Sequence, residues 1–274
     1  MAFGNMKENS KEHWEKLWNN IDLEDEIKTN NFEDKQEVFK LYKNYLPPKG
    51  EGNILEAGCG LGAKLLHWHQ MGYNITGIDY VPQSIAVLKQ YDSSVKVVAA
   101  DIHNIPFPDS YFKAYLSYGV MEHIESGYIK ALKEAHRVLE ASGFLIFMVP
   151  LDNWITNFNI NPNNIIRRLK TKKIIRKMFS KPPLTSEQLK SYEKSSFFIR
   201  TLSVQEIKDN LTKVGFHVLS IHPIYHGETL YDLIEFFHGN EPGEFTPFAR
   251  HLLKFLKNIF PWSSASGSMT IAQK

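Results

Sequence analysis

The stretch Ile54-Leu55-Glu56-Ala57-Gly58-Cys59-Gly60-Leu61-Gly62 runs an apolar segment into three alternating glycines. Glycine adopts torsions barred to other residues and has no Cβ to hold a ligand away, so a cofactor can lie directly on this main chain. Asp79 follows twenty-one residues after Gly58. A carboxylate at the end of the next strand can accept both hydrogen bonds from a ribose diol. Together these features predict a nucleoside-bearing cofactor. The glycines fall as G-x-G-x-G, with Ala63 and Lys64 next, whereas a pyrophosphate turn needs G-x-G-x-x-G. That spacing argues against a nicotinamide dinucleotide.

Two other residue types could react. Cys59 is the single cysteine, so neither an intrachain disulfide nor a four-cysteine metal site can form. Inside a tight turn, with no histidine forced beside it, Cys59 reads as a small packed side chain rather than a nucleophile. His123 falls at the end of a predicted strand, where doubly wound sheets place their chemistry, and is the natural candidate base. A structural or pocket-wall role for Glu122 and His123 is the reading preferred over a base. His13, His222 and His226 are rim candidates. No C-x-x-C cluster or metal triad is visible, so no metal is expected.

The elements that must position these residues follow from periodicity. Helices are predicted over 13–20 and 32–45, the second stopped by Pro47 and Pro48. Short apolar strands over 53–57, 74–78, 95–100, 113–117 and 143–149 alternate with helices over 62–71, 82–90 and 128–139. This rhythm predicts an α/β sheet, mostly parallel, with helices on both faces. It breaks from Pro150 to about Phe198, too long for an ordinary loop and read as a partly helical cap insertion. A helix over 203–214 closed by Gly215 and strands over 216–222 and 268–272 bring the strands to seven. The segments 229–237 and 247–260 look helical, with a strand as the alternative for the first.

In this order the motifs resemble the class I S-adenosylmethionine-dependent methyltransferases, particularly their small-molecule branch. The resemblance rests on 55–62, on Asp79, and on Ala100-Asp101-Ile102 with Ile105-Pro106-Phe107-Pro108-Asp109. It continues through Tyr118-Gly119-Val120-Met121-Glu122-His123-Ile124 and Arg137-Val138-Leu139-Glu140-Ala141-Ser142-Gly143, with a weaker echo from Phe198 to Phe216. It implies a Rossmann-like fold and S-adenosyl-L-methionine as cofactor, with S-adenosyl-L-homocysteine as product. It also implies that Gly58, Cys59, Gly60 and Gly62 pass under the methionine part, with Glu56 near its amino group. Asp79 would hold the ribose with Tyr80 beside it, Asp101 and Ile102 would frame adenine, and Tyr118 would close the far side. Trp14 and Trp18, on one face of the first helix, would form an aromatic lid. The implied organisation is a helical segment over 1–48 covering the cofactor, a core over 49–150, the cap insertion over 151–199, and the rest of the sheet with further helical cap elements over 200–274.

The expected reaction is direct methyl displacement onto an O, N or C atom of a small molecule. A protein or nucleic-acid methyltransferase is the first alternative, weakened because Ser117-Tyr118-Gly119-Val120 stands where an Asn-Pro-Pro-Tyr signature would fall. A non-catalytic cofactor-binding or interaction protein is the second. Thirty-two Lys and Arg against thirty Asp and Glu leave a formal charge of +2, which calls for no nucleic-acid partner. Hydrophobic residues at 43% and charged residues at 23% are ordinary globular composition. With no apolar leader and no window of about 20 apolar residues, a cytoplasmic protein is expected, as a monomer or homodimer. The basic run from Arg167 to Lys181 is interleaved with apolar residues and reads first as a solvated helix packed on the core. Attraction of an anionic acceptor or a transient membrane-surface contact is the lesser reading. The later aromatic residues, Phe197 and Phe198 through Phe248, would suit an apolar acceptor pocket.

Overall fold

The computed structural model describes residues 11–160, 198–226 and 245–274. Its strands are β1 (Ile54–Ala57), β2 (Ile75–Asp79), β3 (Lys96–Ala99), β4 (Phe112–Tyr118), β5 (Leu139–Pro150), β6 (His217–Ile224) and β7 (Gly267–Gln273). They form one seven-stranded sheet in the order β3-β2-β1-β4-β5-β7-β6. β1 to β5 pair in parallel, and β7 runs antiparallel to both β5 and β6. From β1 the chain builds outward to β2 and β3, then crosses back to place β4 on the other side. Between β1 and β4 the winding reverses, and a crevice opens at their C-terminal ends.

Alternation along the strands splits the core in two. Ile54, Ala114, Leu116, Ile146 and Ile271 face one side of the sheet, while Leu55, Ala57, Tyr115, Leu145 and Phe147 face the other. The first side is covered by α3 (Glu33–Tyr42), α4 (Ala63–Gln70) and α5 (Pro82–Tyr91), through Phe39, Tyr42, Leu65, Trp68 and Leu88. The second is covered by α6 (Ile129–Val138), whose Ala131, Leu132, Ala135 and Val138 recur at helical spacing and are fully buried. A further helix on that side, Val204–Val214, starts at Ser203, whose hydroxyl accepts from Glu206 N at 3.1 Å. It ends at Gly215 with φ of +105°.

At the N-terminus, α1 (Lys11–Trp18) matches the predicted first helix. The helix α2 (Leu23–Thr29) was not expected: its sequence LEDEIKT has almost no apolar face, and only Leu23 is buried. It is set by its cap, since the Asp22 carboxylate accepts from Glu24 N at 2.7 Å and Asp25 N at 3.4 Å. Asn30, just beyond it, is buried and donates from Nδ2 to the Ala63 carbonyl at 2.8 Å, tying α2 to the first turn of α4. The helix predicted to run to 139 stops at Val138, and β5 starts four residues earlier than expected. Inside the predicted insertion, α7 (Trp154–Ile160) is helical. The run from Arg167 to Lys181 and the segment 229–237 lie outside the described residues. Among the described residues, no helix is long and apolar enough to cross a membrane.

Arg137, at the end of α6, holds the loop that carries Asp101 and Ile102. Its Nε and Nη2 donate to the two carboxylate oxygens of Glu134, each at 2.9 Å, while Nη1 reaches the Phe107 carbonyl and the Asp109 carboxylate and Nη2 the Ile105 carbonyl. Glu134 also accepts from Ile105 N. A planar guanidinium serves all of these acceptors at once, and an ammonium cannot. Arg137→Lys is therefore expected to lower stability by about 1–2 kcal/mol, after allowance for partial exposure, measured by denaturant unfolding.

Candidate functional site

The crevice between β1 and β4 is a cavity of about 370 Å³. The residues assigned to the cofactor from the sequence, with the candidate base, all line it: Trp14, Trp18, Glu56, Gly58, Cys59, Gly60, Gly62, Asp79, Tyr80, Asp101, Ile102, Tyr118 and His123; Glu122, the other candidate wall residue, does not. None of His13, His222 or His226 is among the lining residues. His226 instead lies buried against the Ser264 hydroxyl at 2.8 Å. Glu26, Lys64, His103, Val120, Glu125 and Ser126 also line the cavity and were not assigned from the sequence. Lys64 directly follows the glycine motif and could have been found there. Glu26 could not, because it sits on the unexpected α2.

The glycine turn is as compact as its sequence implied. Gly58 has φ of +76° and Gly60 +53°, both in the left-handed region that favours glycine. A Cβ on Gly58 would lie 2.4 Å from Val120 Cγ2, and one on Gly60 would lie 2.7 Å from the Trp18 ring. The turn is thus clamped between the loop after β4 and the indole of α1. Cys59 is buried in it, and burial pushes the thiol well above its ordinary value, so it stays protonated and unreactive at neutral pH.

The two acids beside the turn differ. Asp79 ends β2 with Oδ2 accepting from Gly60 N at 2.8 Å and Oδ1 from Val81 N at 2.9 Å, so each oxygen keeps a second lone pair. Burial raises its pKa, and hydrogen bonding from Val81 N, Gly60 N and the Ser84 side chain opposes the rise. Glu56 lies on the central strand β1, buried, and its Oε2 has no hydrogen-bond partner. Burial pushes Glu56 up to about 8, with Lys64 opposing the rise and Asp79 adding to it. On the lid, the Trp18 indole Nε1 is likewise buried without a partner. Trp14 stacks on Trp18 at 5.7 Å between ring centroids and meets the His123 imidazole edge-on at 4.9 Å.

His123 sits in a short 3₁₀ turn, Met121–His123, after β4. Its Nδ1 lies 2.8 Å from the Phe198 carbonyl, which can only accept, so Nδ1 carries the hydrogen and neutral imidazole keeps its lone pair on Nε2. Burial lowers its pKa. Nε2 is 3.9 Å from Oε1 of Glu122, another buried acid that burial pushes up to about 8. On the opposite wall the Tyr118 hydroxyl is bonded to the Tyr42 hydroxyl, which also accepts from Trp68 Nε1 at 3.1 Å. Among the described residues there is no group of three or more His, Cys, Asp or Glu that could hold a metal ion.

Comparison with known proteins agrees with this geometry. Residues 55–147, which span β1 to most of β5, match the family model described as a methyltransferase domain. An uncharacterized protein of Methanocaldococcus jannaschii is 33% identical over 121 residues, covering 43% of this chain and 48% of that protein. A malonyl-[acyl-carrier protein] O-methyltransferase of Pectobacterium atrosepticum is 25% identical over 114 residues, covering 42% of this chain and 45% of that protein. The matches thus span less than half the length of these curated relatives. The crystal structure of an S-adenosylmethionine-dependent methyltransferase from Mesorhizobium loti superposes with a TM-score of 0.56 at 13% identity, over 86% of this chain and 97% of that one, which shows the shared fold. The segment from β1 to most of β5 is thus similar to a methyltransferase domain and lies on a Rossmann-like sheet.

The buried acids predict how stability depends on pH. The pKa of Glu56 is about 8 when folded and about 4.3 when unfolded, so the folded state holds a proton that the unfolded state has lost between these values. Stability is fully present below the unfolded value and is lost as pH rises toward 8, by at most about 1.4 kcal/mol per pH unit for one such group. Glu56→Gln should flatten this slope in ligand-free protein, measured by urea unfolding from pH 5 to pH 8.

Proposed function

We propose that this protein transfers a methyl group from S-adenosylmethionine to a small-molecule acceptor. The observation that carries the reading is the pairing of unmet groups in one cavity with a glycine turn and a diol-binding acid. Glu56 offers a buried carboxylate oxygen without a partner and Trp18 a buried N–H without one. An amino acid's ammonium and carboxylate would satisfy them, and a buried polar group left unmet is costly. The second lone pairs of Asp79 suit the ribose hydroxyls, and Asp101 and Ile102, held by the Arg137 clamp, suit adenine. Tyr80 and Tyr118 wall the same space, and Gly58, Cys59, Gly60 and Gly62 give it a floor.

S-adenosylmethionine supplies a methyl group already activated on a sulfonium and leaves as S-adenosylhomocysteine. The chain's own contribution is alignment and exclusion of water. Trp14 and Trp18 of α1 cover the turn. With Nδ1 committed to Phe198, His123 presents Nε2 to take a proton from an acceptor hydroxyl or amine, and its lowered pKa keeps it neutral and competent near pH 7. A small methyl-accepting group is supported by the malonyl group named for relatives such as malonyl-[acyl-carrier protein] O-methyltransferase.

Calorimetric titration with S-adenosylhomocysteine, with NAD in parallel, tests the cofactor. Micromolar binding of the former alone, lost in Asp79→Ala, is the expected result. Absence of binding by folded, ligand-free protein would overturn the reading. Once an acceptor is found, His123→Gln should lower kcat by about 10²–10⁴-fold with little change in cofactor affinity. An unchanged kcat would reduce His123 to a wall of the pocket.

A further inference from the structure

Asp101 follows β3 closely, and its main chain is fixed on both sides. Ala100 N donates to the Asp79 carbonyl at 2.9 Å, and Asn104 N donates to the Asp101 carbonyl at 3.0 Å, closing a turn that buries Ile102 in the core. Arg137 holds the next stretch through the carbonyls of Ile105 and Phe107. None of these contacts touches the Asp101 side chain, which is 61% exposed. A carboxylate with that much room samples several rotamers, and that freedom must be given up when a ligand binds. One residue removes it beforehand. His103 brings its backbone N and its ring Nδ1 to the same oxygen, Oδ1 of Asp101, each at 2.8 Å. An ionised carboxylate only accepts, so Nδ1 carries the hydrogen whether the imidazole is neutral or protonated. One donor from the main chain and one from the side chain hold Asp101 in a single rotamer. Among the described residues no donor reaches Oδ2. Asp101 and His103 both line the cavity.

We propose that His103 is a positioning residue that fixes the Asp101 carboxylate with Oδ2 open to the 6-amino group of a bound purine, and thereby makes the cavity select adenine over a base without that group. The inference deepens the proposed cofactor reading and rests on it. Selection follows from what each group can give. A carboxylate oxygen has no hydrogen to offer, so it pairs with an exocyclic amine and repels the carbonyl that stands at the same position in a 6-oxopurine. Held still, Oδ2 gains that bond without the cost of first ordering a side chain. Coulomb attraction between His103 and Asp101 is a minor part, because an exposed ion pair contributes little by itself. Without His103, Asp101 would remain an acid near the base, but it could turn away and would discriminate less. The fold does not depend on the imidazole. Ile102 anchors the turn and Arg137 the loop beyond it, so the ring of His103 is left to act on one side chain.

The test is calorimetric titration of the full chain with two ligands, S-adenosylhomocysteine and its analogue lacking the 6-amino group. Wild-type protein is expected to prefer the first by about tenfold, the worth of one hydrogen bond to a charged acceptor. Asp101→Ala should abolish that preference. His103→Ala should cut it to about threefold or less at unchanged Tm, by weakening S-adenosylhomocysteine while leaving the analogue as it was. His103→Asn should restore it, because the asparagine Nδ2 is bonded to Cγ as the histidine Nδ1 is and can donate to the same oxygen. Equal weakening of both ligands in His103→Ala overturns the proposal, since the ring would then only pack on the base. An unchanged preference in that variant overturns it as well, and so does failure of His103→Asn to restore what His103→Ala loses. Equal binding of the two ligands by wild-type protein sinks this inference and leaves the cofactor reading standing. Binding of neither overturns the cofactor reading and this inference with it.

Discussion

A carboxylate buried in the middle of a parallel sheet is the constraint on which this structure turns. Glu56 belongs to β1, the strand flanked by β2 and β4, and alternation sends its side chain toward the face covered by α3 and α4. Placing an ionisable group there without a partner is unfavourable by several kcal/mol unless it is protonated or meets a cation. The fold tolerates it because the winding reverses next to β1, leaving a crevice in which a ligand can supply what the protein does not. Asp79, one strand away, is the contrast: its oxygens already receive Gly60 N and Val81 N, so it organises the turn even before any ligand is present.

The groups around that acid are held by contacts far apart in sequence. The Trp18 ring rests where a Cβ of Gly60 would be, so removing the glycine would displace the lid as well as strain the turn. The loop with Asp101 and Ile102 depends on Arg137, and the tautomer of His123 depends on the carbonyl of Phe198, which lies seventy-five residues further along the chain. The cavity is therefore built by the sheet but finished by peripheral segments. Variation among proteins with this fold is expected in just those segments, because fold alone does not define the reaction.

Much of the fold was legible because its signals are local. Seven strands and their alternating helices follow from short apolar runs broken by Gly and Pro, and the glycine turn with Asp79 follows from spacing along two adjacent strands. The misses have physical causes. α2 was invisible because a cap and one buried leucine hold it rather than periodicity. The start of β5 was misplaced because pairing with β4, through Phe112 and Leu139, extends the strand across residues whose own composition, Glu-Ala-Ser-Gly, suggests a turn.

The sequence by itself determined the class of fold and many of the residues that meet around the cavity, since each depends on residue type and on neighbours close along the chain. Only the tertiary structure decided which of those residues are satisfied and which are not. The unpartnered oxygen of Glu56, the tautomer of His123 and the burial of Cys59 all depend on what the folded chain brings, or fails to bring, from distant positions. Hydrogen bonding and burial are properties of that assembly, and no local pattern encodes them.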